Sequence, residues 1–385
     1  MRPLTMIAAP NTFKGSLGAI QAARAMERGI HDADPKIRVK KIPVSDGGDG
    51  LVDALADAMG GAPIHLKVND PRQRPIEAKF LFNPNQSTAV IEMALASGLA
   101  LLPEDLRNPE RTNTFGTGEL IREAMDRGGA HIIMGIGGSA TCDGGIGAAS
   151  ALGYRFLDKY GTRLDPVGES LIHVAAIDKK GVDPRIADTR FSIACDVTNP
   201  LTGPNGASFV FSPQKGATPA QVKALDRGLD NLARIIARDL GLEIKDLDGA
   251  GAAGGLGGGM KAFFNADLTP GIDLVLDYLD FQNQIKGADL VLTAEGRVDS
   301  QTEFNKAPVG VAGAALAERI PCFALCGSMG CKLENLYDLG MDAVFSLCKG
   351  PMTLDRAMAD AFDLLRTSTE QVVRAFIAGR KAQNE

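Results

Sequence analysis

The sequence predicts an α/β fold in two domains, and three observations carry that prediction. At both ends of the chain short apolar runs alternate with amphipathic stretches, the rhythm of βαβ units and of a parallel, doubly wound sheet. Between residues 64 and 93 the rhythm changes to strand-like runs divided by turn signals, which reads as antiparallel additions. The length, 385 residues, exceeds one ordinary domain and suits two.

In chain order, LTMIAA is a buried strand, and Ser16 is the candidate cap of a helix running to Gly29 with Ile20, Ala23 and Met26 inward. IRVKKIPV leads into SDGGDG and a second helix, LVDALADAMG. IHLKV, EAKFLF and TAVIEM follow as strands, separated by NDPRQRP and NPNQS. A helix is predicted near Gly118–Arg127, then the strand HIIMGI, a glycine loop and a short helix near Gly147–Leu152. The clearest helix begins with Thr218 as N-cap, Pro219 at its first position and Gln221 completing a capping box. Its stripe is Val222, Leu225, Leu229, Leu232, Ile236 and Leu240, and Gly241 ends it. From about Ala288 the simple rhythm returns through ADLVLTAE, CFALCG and AVFSLC. One α/β domain is therefore assigned to residues 1–68 and 285–385, with an inserted α/β domain at 69–284.

Composition narrows the function. A net charge of −6 and a pI near 5.4 give no nucleic-acid footprint. MRPLTMIAAP lacks a long apolar segment and no 18-residue apolar run occurs, so the expectation is a soluble cytoplasmic protein that engages no membrane. Cys322, Cys326 and Cys331 lack the CxxC pairing of a zinc site. Cys142 reads as a small free thiol rather than a nucleophile, and His131 as a strand-end residue rather than a base. No motif fixes the oligomeric state.

Glycine is the outlier, at 45 residues of 385 where about 7% is usual, and it concentrates in loops that follow apolar runs. Four segments share one design, an apolar strand followed by a small-residue loop with a carboxylate. They are VKKIPVSDGG with Asp46, HIIMGIGGSATCDGG with Asp143, FSIACDVTNP with Asp196, and ADLVLTAEGRVDSQT with Glu295 and Asp299. Ligands in open α/β sheets bind beyond the C-terminal ends of the strands. Taken singly, Asp46 and Asp143 also suit helix caps and Asp196 an Asx turn. As a set, strand-end carboxylates and glycine loops indicate Mg²⁺ and phosphate together. Lys14 and Lys306, each in a loop before a predicted helix, are candidate cations for a transferring phosphoryl group. There is no Gly-Lys pair, which excludes a Walker A loop, and no HRD or DFG trio, which excludes a protein kinase. GAGAAG at Gly249–Gly254 matches a dinucleotide fingerprint but follows LEIKDLD, a poor buried strand, so an NAD-dependent dehydrogenase is only an alternative.

The blocks APNTFKGSL, PVSDGGDG, TFGTGELI, GIGGSATCDGGIGAASALG, ACDVTNPLTGPNGAS, FSPQKGA, GAAGGLGGGM, PGIDLVLD and EGRVDSQT…KAPVGVA resemble, in order, those of bacterial glycerate kinases of the first type. The resemblance implies a discontinuous Rossmann-like domain with a second α/β domain inserted. It also implies phosphorylation of glycerate by ATP with Mg²⁺, mostly to 2-phosphoglycerate. Three positions depart from the family pattern. Asn11 stands where Asp is common, Asn305 replaces a glycine before Lys306, and Ser212 takes a glycine place before PQKGA.

On that basis the loop residues Gly137, Gly138, Ser139, Thr141 and Asp143, with Lys14 or Lys306, are expected to hold phosphate or substrate. Asp299 is the expected Mg²⁺ ligand, with Glu295 beside it. Asp196 or Asp46 takes the proton of the glycerate hydroxyl. Arg297 or Lys215 is the candidate for the glycerate carboxylate, and Gln301 is a further candidate substrate- or phosphate-binding residue. The remaining alternative is a sugar-acid sensor that keeps the fold without turnover, against which the five retained acids argue.

Overall fold

The computed structural model describes residues 2–47, 50–299, 306–330 and 333–382. Its first strands are β1 (Thr5–Pro10), β2 (Arg38–Lys41), β3 (Ala62–Asn69), β4 (Pro75–Asn83), β5 (Thr88–Glu92), β6 (His131–Gly135) and β7 (Arg155–Leu157). They are followed by β8 (Ala176–Asp178), β9 (Arg190–Ala194), β10 (Asp267–Thr269), β11 (Leu290–Val298), β12 (Cys322–Met329) and β13 (Ala343–Ser346). Helices separate most of them, as an α/β fold requires.

The chain divides into two compact units. Met1–Asp46, Asp53–Met59 and Gly271–Glu385 form one; Gly47–Val52 and Gly60–Pro270 form the other. The first unit holds a five-stranded sheet in the order β13-β12-β11-β1-β2, every pairing parallel. β1 and β11 lie inside it and are buried almost throughout, which is why their sequences run apolar instead of alternating. Met6, Ala8, Met26, Leu290, Leu292 and Leu365 belong to its core, with the helices Ala19–Ala33 and Ala361–Ala382 packed on each other.

The second unit holds a six-stranded sheet in the order β10-β9-β6-β5-β4-β3. β10, β9, β6 and β5 are parallel, and β4 and β3 add antiparallel, the change of character visible in residues 64–93. β7 and β8 make a small hairpin of their own. Phe80, Ile91, Met134, Leu229, Leu232 and Phe263 belong to this core.

The units' boundaries differ from the expected 68 and 285. β3 pairs with β4 along its whole length, from Ala62↔Phe82 to Asn69↔Pro75, and those backbone bonds commit it to the second sheet. The helices Gly271–Tyr278 and Phe281–Ile285 lie in the first unit. Ser16 is also not the expected cap. Phe13 and Leu17 bridge antiparallel around Gly15, which has φ +77°, and the first helix starts only at Ala19 after Gly18. The capping box at Thr218 and Gln221 is present, and Gly241 closes the helix Pro219–Leu240 in the left-handed region.

GAGAAG follows no strand, so the strand-turn-helix context of a dinucleotide fingerprint is missing. Its glycines serve backbone packing. At Gly254, with φ +71°, a Cβ would lie 2.0 Å from the carbonyl oxygen of Thr141, and the Gly144 amide donates to the Gly254 carbonyl at 3.1 Å. No side chain fits there, and the glycine-rich helix start seats the 141–145 loop.

Candidate active site

In each sheet the acids singled out in the sequence lie at or after the C-terminal ends of parallel strands, β2 and β11 in one and β6 and β9 in the other. In the first unit, β1 is followed directly by Asn11, whose amide donates to the Ala294 carbonyl of β11 at 2.8 Å. Its side-chain nitrogen donates to Glu295 Oε1 at 3.4 Å. Glu295 is 8% exposed, and its other oxygen, Oε2, is buried with no hydrogen-bond partner among the described residues. Burial pushes its carboxyl up to about 7; Lys306 opposes the shift, while Asp46 and Asp299 add to it. The buried Glu295 carboxyl thus accepts from Asn11 and feels the charges of Asp46, Asp299 and Lys306.

The backbone explains this convergence. The strand direction of β2 continues past Lys41 through Ile42 N–H to Ala8 O and Val44 N–H to Pro10 O, which carries Asp46 to the same edge. Lys306 occupies the N-cap position of the helix Ala307–Ala317. Asp299 follows β11 directly and accepts from Arg297 Nε at 2.7 Å. Lys14 is exposed in the turn around Gly15. Gln301, Asn305 and Cys331 lie outside the described residues.

In the second unit, Glu92 of β5, Gly135 of β6 and Ala194 of β9 stand in one row of the ladder. Residues just beyond that row share the edge. The Gly135 position is crowded, since a Cβ there would lie 2.2 Å from the Gly47 carbonyl oxygen, so Gly47 and Gly135 meet backbone to backbone. Gly137 and Gly138 are exposed, Ser139 is 7% exposed, and Thr141 and Asp143 are fully buried. Asp196, two residues past β9, is exposed.

Of the two readings open for Asp143 in the sequence, geometry selects the anchor. Its oxygens accept from Thr114 N–H at 2.8 Å, Thr114 Oγ1 at 2.7 Å, Gly147 N–H at 3.1 Å and Gly145 N–H at 3.3 Å. Burial pushes its carboxyl above the ordinary value, and these hydrogen bonds oppose that rise. Asp143 thus ties the helix starts at Phe115 and Ile146 to the loop. Thr141 contributes its carbonyl, which accepts from Lys215 Nζ at 2.7 Å; Lys215 also donates to Ser139 Oγ at 2.6 Å.

Lys215, expected to meet a substrate carboxylate, is only 2% exposed, so its ammonium acts on the loop. Ser212 has φ −73°, a conformation open to any residue, so serine is tolerated at this position. Cys142 is buried and its thiol is pushed up, and His131 opens β6 with its ring nitrogen 2.9 Å from Ser192 Oγ, as expected of a free thiol and a strand end.

Sequence reasoning missed Glu92 and Thr114. Glu92 is 7% exposed and accepts from the amides of Gly50 and Val52 at 3.2 and 2.7 Å. The signal for it was an acid in an otherwise apolar strand, TAVIEM. Thr114 carries no comparable mark, because its role depends on a residue far along the chain.

Among the described residues no group of three or more His, Cys, Asp or Glu side chains is arranged to hold a metal. No helix among them is long and apolar enough to cross a membrane. A family model described as the glycerate kinase family matches residues 6–377. The glycerate kinase of Bacillus subtilis strain 168 is 45% identical over 96% of this chain and 97% of its own length. The glycerate 2-kinase of Escherichia coli strain K12 is 40% identical over 98% of this chain and 99% of its own. The crystal structure of a protein assigned as glycerate kinase 2 from Salmonella typhimurium LT2 superposes with a TM-score of 0.90. It is 42% identical and covers 98% of this chain and 100% of that one. The nine sequence blocks and these likenesses agree over nearly the whole length: the chain belongs to the glycerate kinase family.

Proposed function

We propose that this chain transfers the γ-phosphoryl group of ATP to the 2-hydroxyl of glycerate, in the cytoplasm and with Mg²⁺. The observation that carries this reading is the buried Glu295 oxygen that has no hydrogen-bond partner among the described residues and lies within electrostatic reach of Asp46, Asp299 and Lys306. Hard oxygen donors of that kind suit Mg²⁺, which takes one or two carboxylates and completes its shell with water and phosphate oxygens. Glu295 and Asp299 would hold the ion, with Asp46 close by. Bound there, it would offset the charge that builds on the transferring phosphoryl group.

The chain's own residues do the rest. Lys14 and Lys306 neutralise phosphate oxygens. The exposed backbone at Gly137 and Gly138, with Ser139, meets an anionic oxygen, while Thr141 and Asp143 hold that loop in shape. Arg297 meets the glycerate carboxylate. Asp196, exposed two residues past β9, accepts the hydroxyl proton.

The test is ADP release from ATP with D-glycerate, run with and without Mg²⁺. Release that needs both glycerate and Mg²⁺ is expected. Release that persists without glycerate, or none with it, overturns the reading.

A further inference from the structure

The Lys215–Ser139 contact fixes a direction that the fold alone does not require. Lys215 closes the turn Pro213–Lys215, and its Nζ lies 2.6 Å from Ser139 Oγ and 2.7 Å from the Thr141 carbonyl oxygen. An ammonium group has three donors and no acceptor, so it donates in both contacts. The oxygen of Ser139 is therefore the acceptor, and its own O–H must donate elsewhere. Ser139 stands next to exposed Gly137 and Gly138, at the loop's accessible end. Thr141, by contrast, is fully buried.

We infer that Lys215 is a positioning residue that holds the Ser139 hydroxyl as a donor toward an anionic substrate oxygen. The inference rests on the kinase reading, and two sources share the chemistry: the carboxylate of glycerate and a phosphate of ATP. The polarity depends on the charge of Lys215. Burial lowers its pKa to about 8, and the Cys142 thiol and Asp143 carboxylate facing it work to raise it. Below that pH the ammonium donates and Ser139 points outward. Above it a neutral amine can accept, and the Ser139 proton can turn inward, so the substrate loses its donor.

The experiment measures KM for glycerate and for ATP between pH 7 and 9 in the wild type, Ser139→Ala, Lys215→Met, Lys215→Arg and the double variant. For one of the two substrates, Ser139→Ala and Lys215→Met are each expected to raise KM about ten- to hundredfold near pH 7, as loss of a hydrogen bond to a charged group does. The double variant should be no worse than either single one, since both act through the same bond. Lys215→Arg, still a cation, should recover part of the loss. The substrate whose KM moves identifies the anionic group.

The wild-type KM should climb above pH 8 while that of Ser139→Ala stays flat. This comparison decides the matter even if Lys215→Met fails to fold. An unchanged KM for both substrates in Ser139→Ala, or the same pH rise in Ser139→Ala as in the wild type, overturns the inference. Failure of the kinase reading shows itself separately, as wild-type protein that does not turn over glycerate.

Discussion

Asp143→Ala is expected to destabilise the protein by about 3–5 kcal/mol, the scale of removing one member from a buried charged network. Asp143 is fully buried and accepts four hydrogen bonds, three from backbone amides and one from the Thr114 hydroxyl. Alanine leaves those donors without an acceptor and without water. The loss also reaches Lys215, because the Asp143 carboxylate is one of the two groups that favour its charged form. Urea unfolding followed by circular dichroism measures the cost. A cost below about 1 kcal/mol would mean that water or a shifted loop replaces the carboxylate, and the anchor role would be wrong.

The second large effect falls on turnover. Asp196→Asn is expected to lower kcat by about 10²–10⁴, the usual contribution of a positioned general base, with the fold and KM for ATP nearly unchanged. Asn keeps the shape and removes the basic oxygen. Asp46→Asn should behave differently, raising the Mg²⁺ concentration needed for half-maximal rate, because Asp46 neighbours Glu295 in the carboxylate cluster. Steady-state kinetics with Mg²⁺ titration separates the two. If Asp196→Asn keeps a near-normal kcat and Asp46→Asn loses it without a change in Mg²⁺ requirement, the roles assigned to the pair are reversed.

What could be read from the residues was what depends on nearby residues. The capping box at Thr218, the turn signals between β3, β4 and β5, and the apolar runs of β1 and β11 all declare themselves within a few positions. The acids at the strand ends were legible for the same reason, since each follows its own strand. What could not be read depends on distant partners. β3 belongs to the second sheet because β4 pairs with it, and Gly254 matters because Thr141 comes within reach. Lys215 looks like any solvated lysine until the fold buries it under Ser139 and Thr141. Asn11, a departure from the family's common Asp, keeps a place in the site by donating to Glu295, which an aspartate could do only if protonated.

The most direct test of the central claim is phosphorus NMR of the product formed from ATP, Mg²⁺ and D-glycerate. The account predicts a new phosphate ester whose phosphorus is split into a doublet by the one proton on C2, appearing in step with ADP. A triplet would place the phosphoryl group on the 3-hydroxyl and contradict the assigned acceptor. Inorganic phosphate alone, with no ester of glycerate, would contradict the kinase itself.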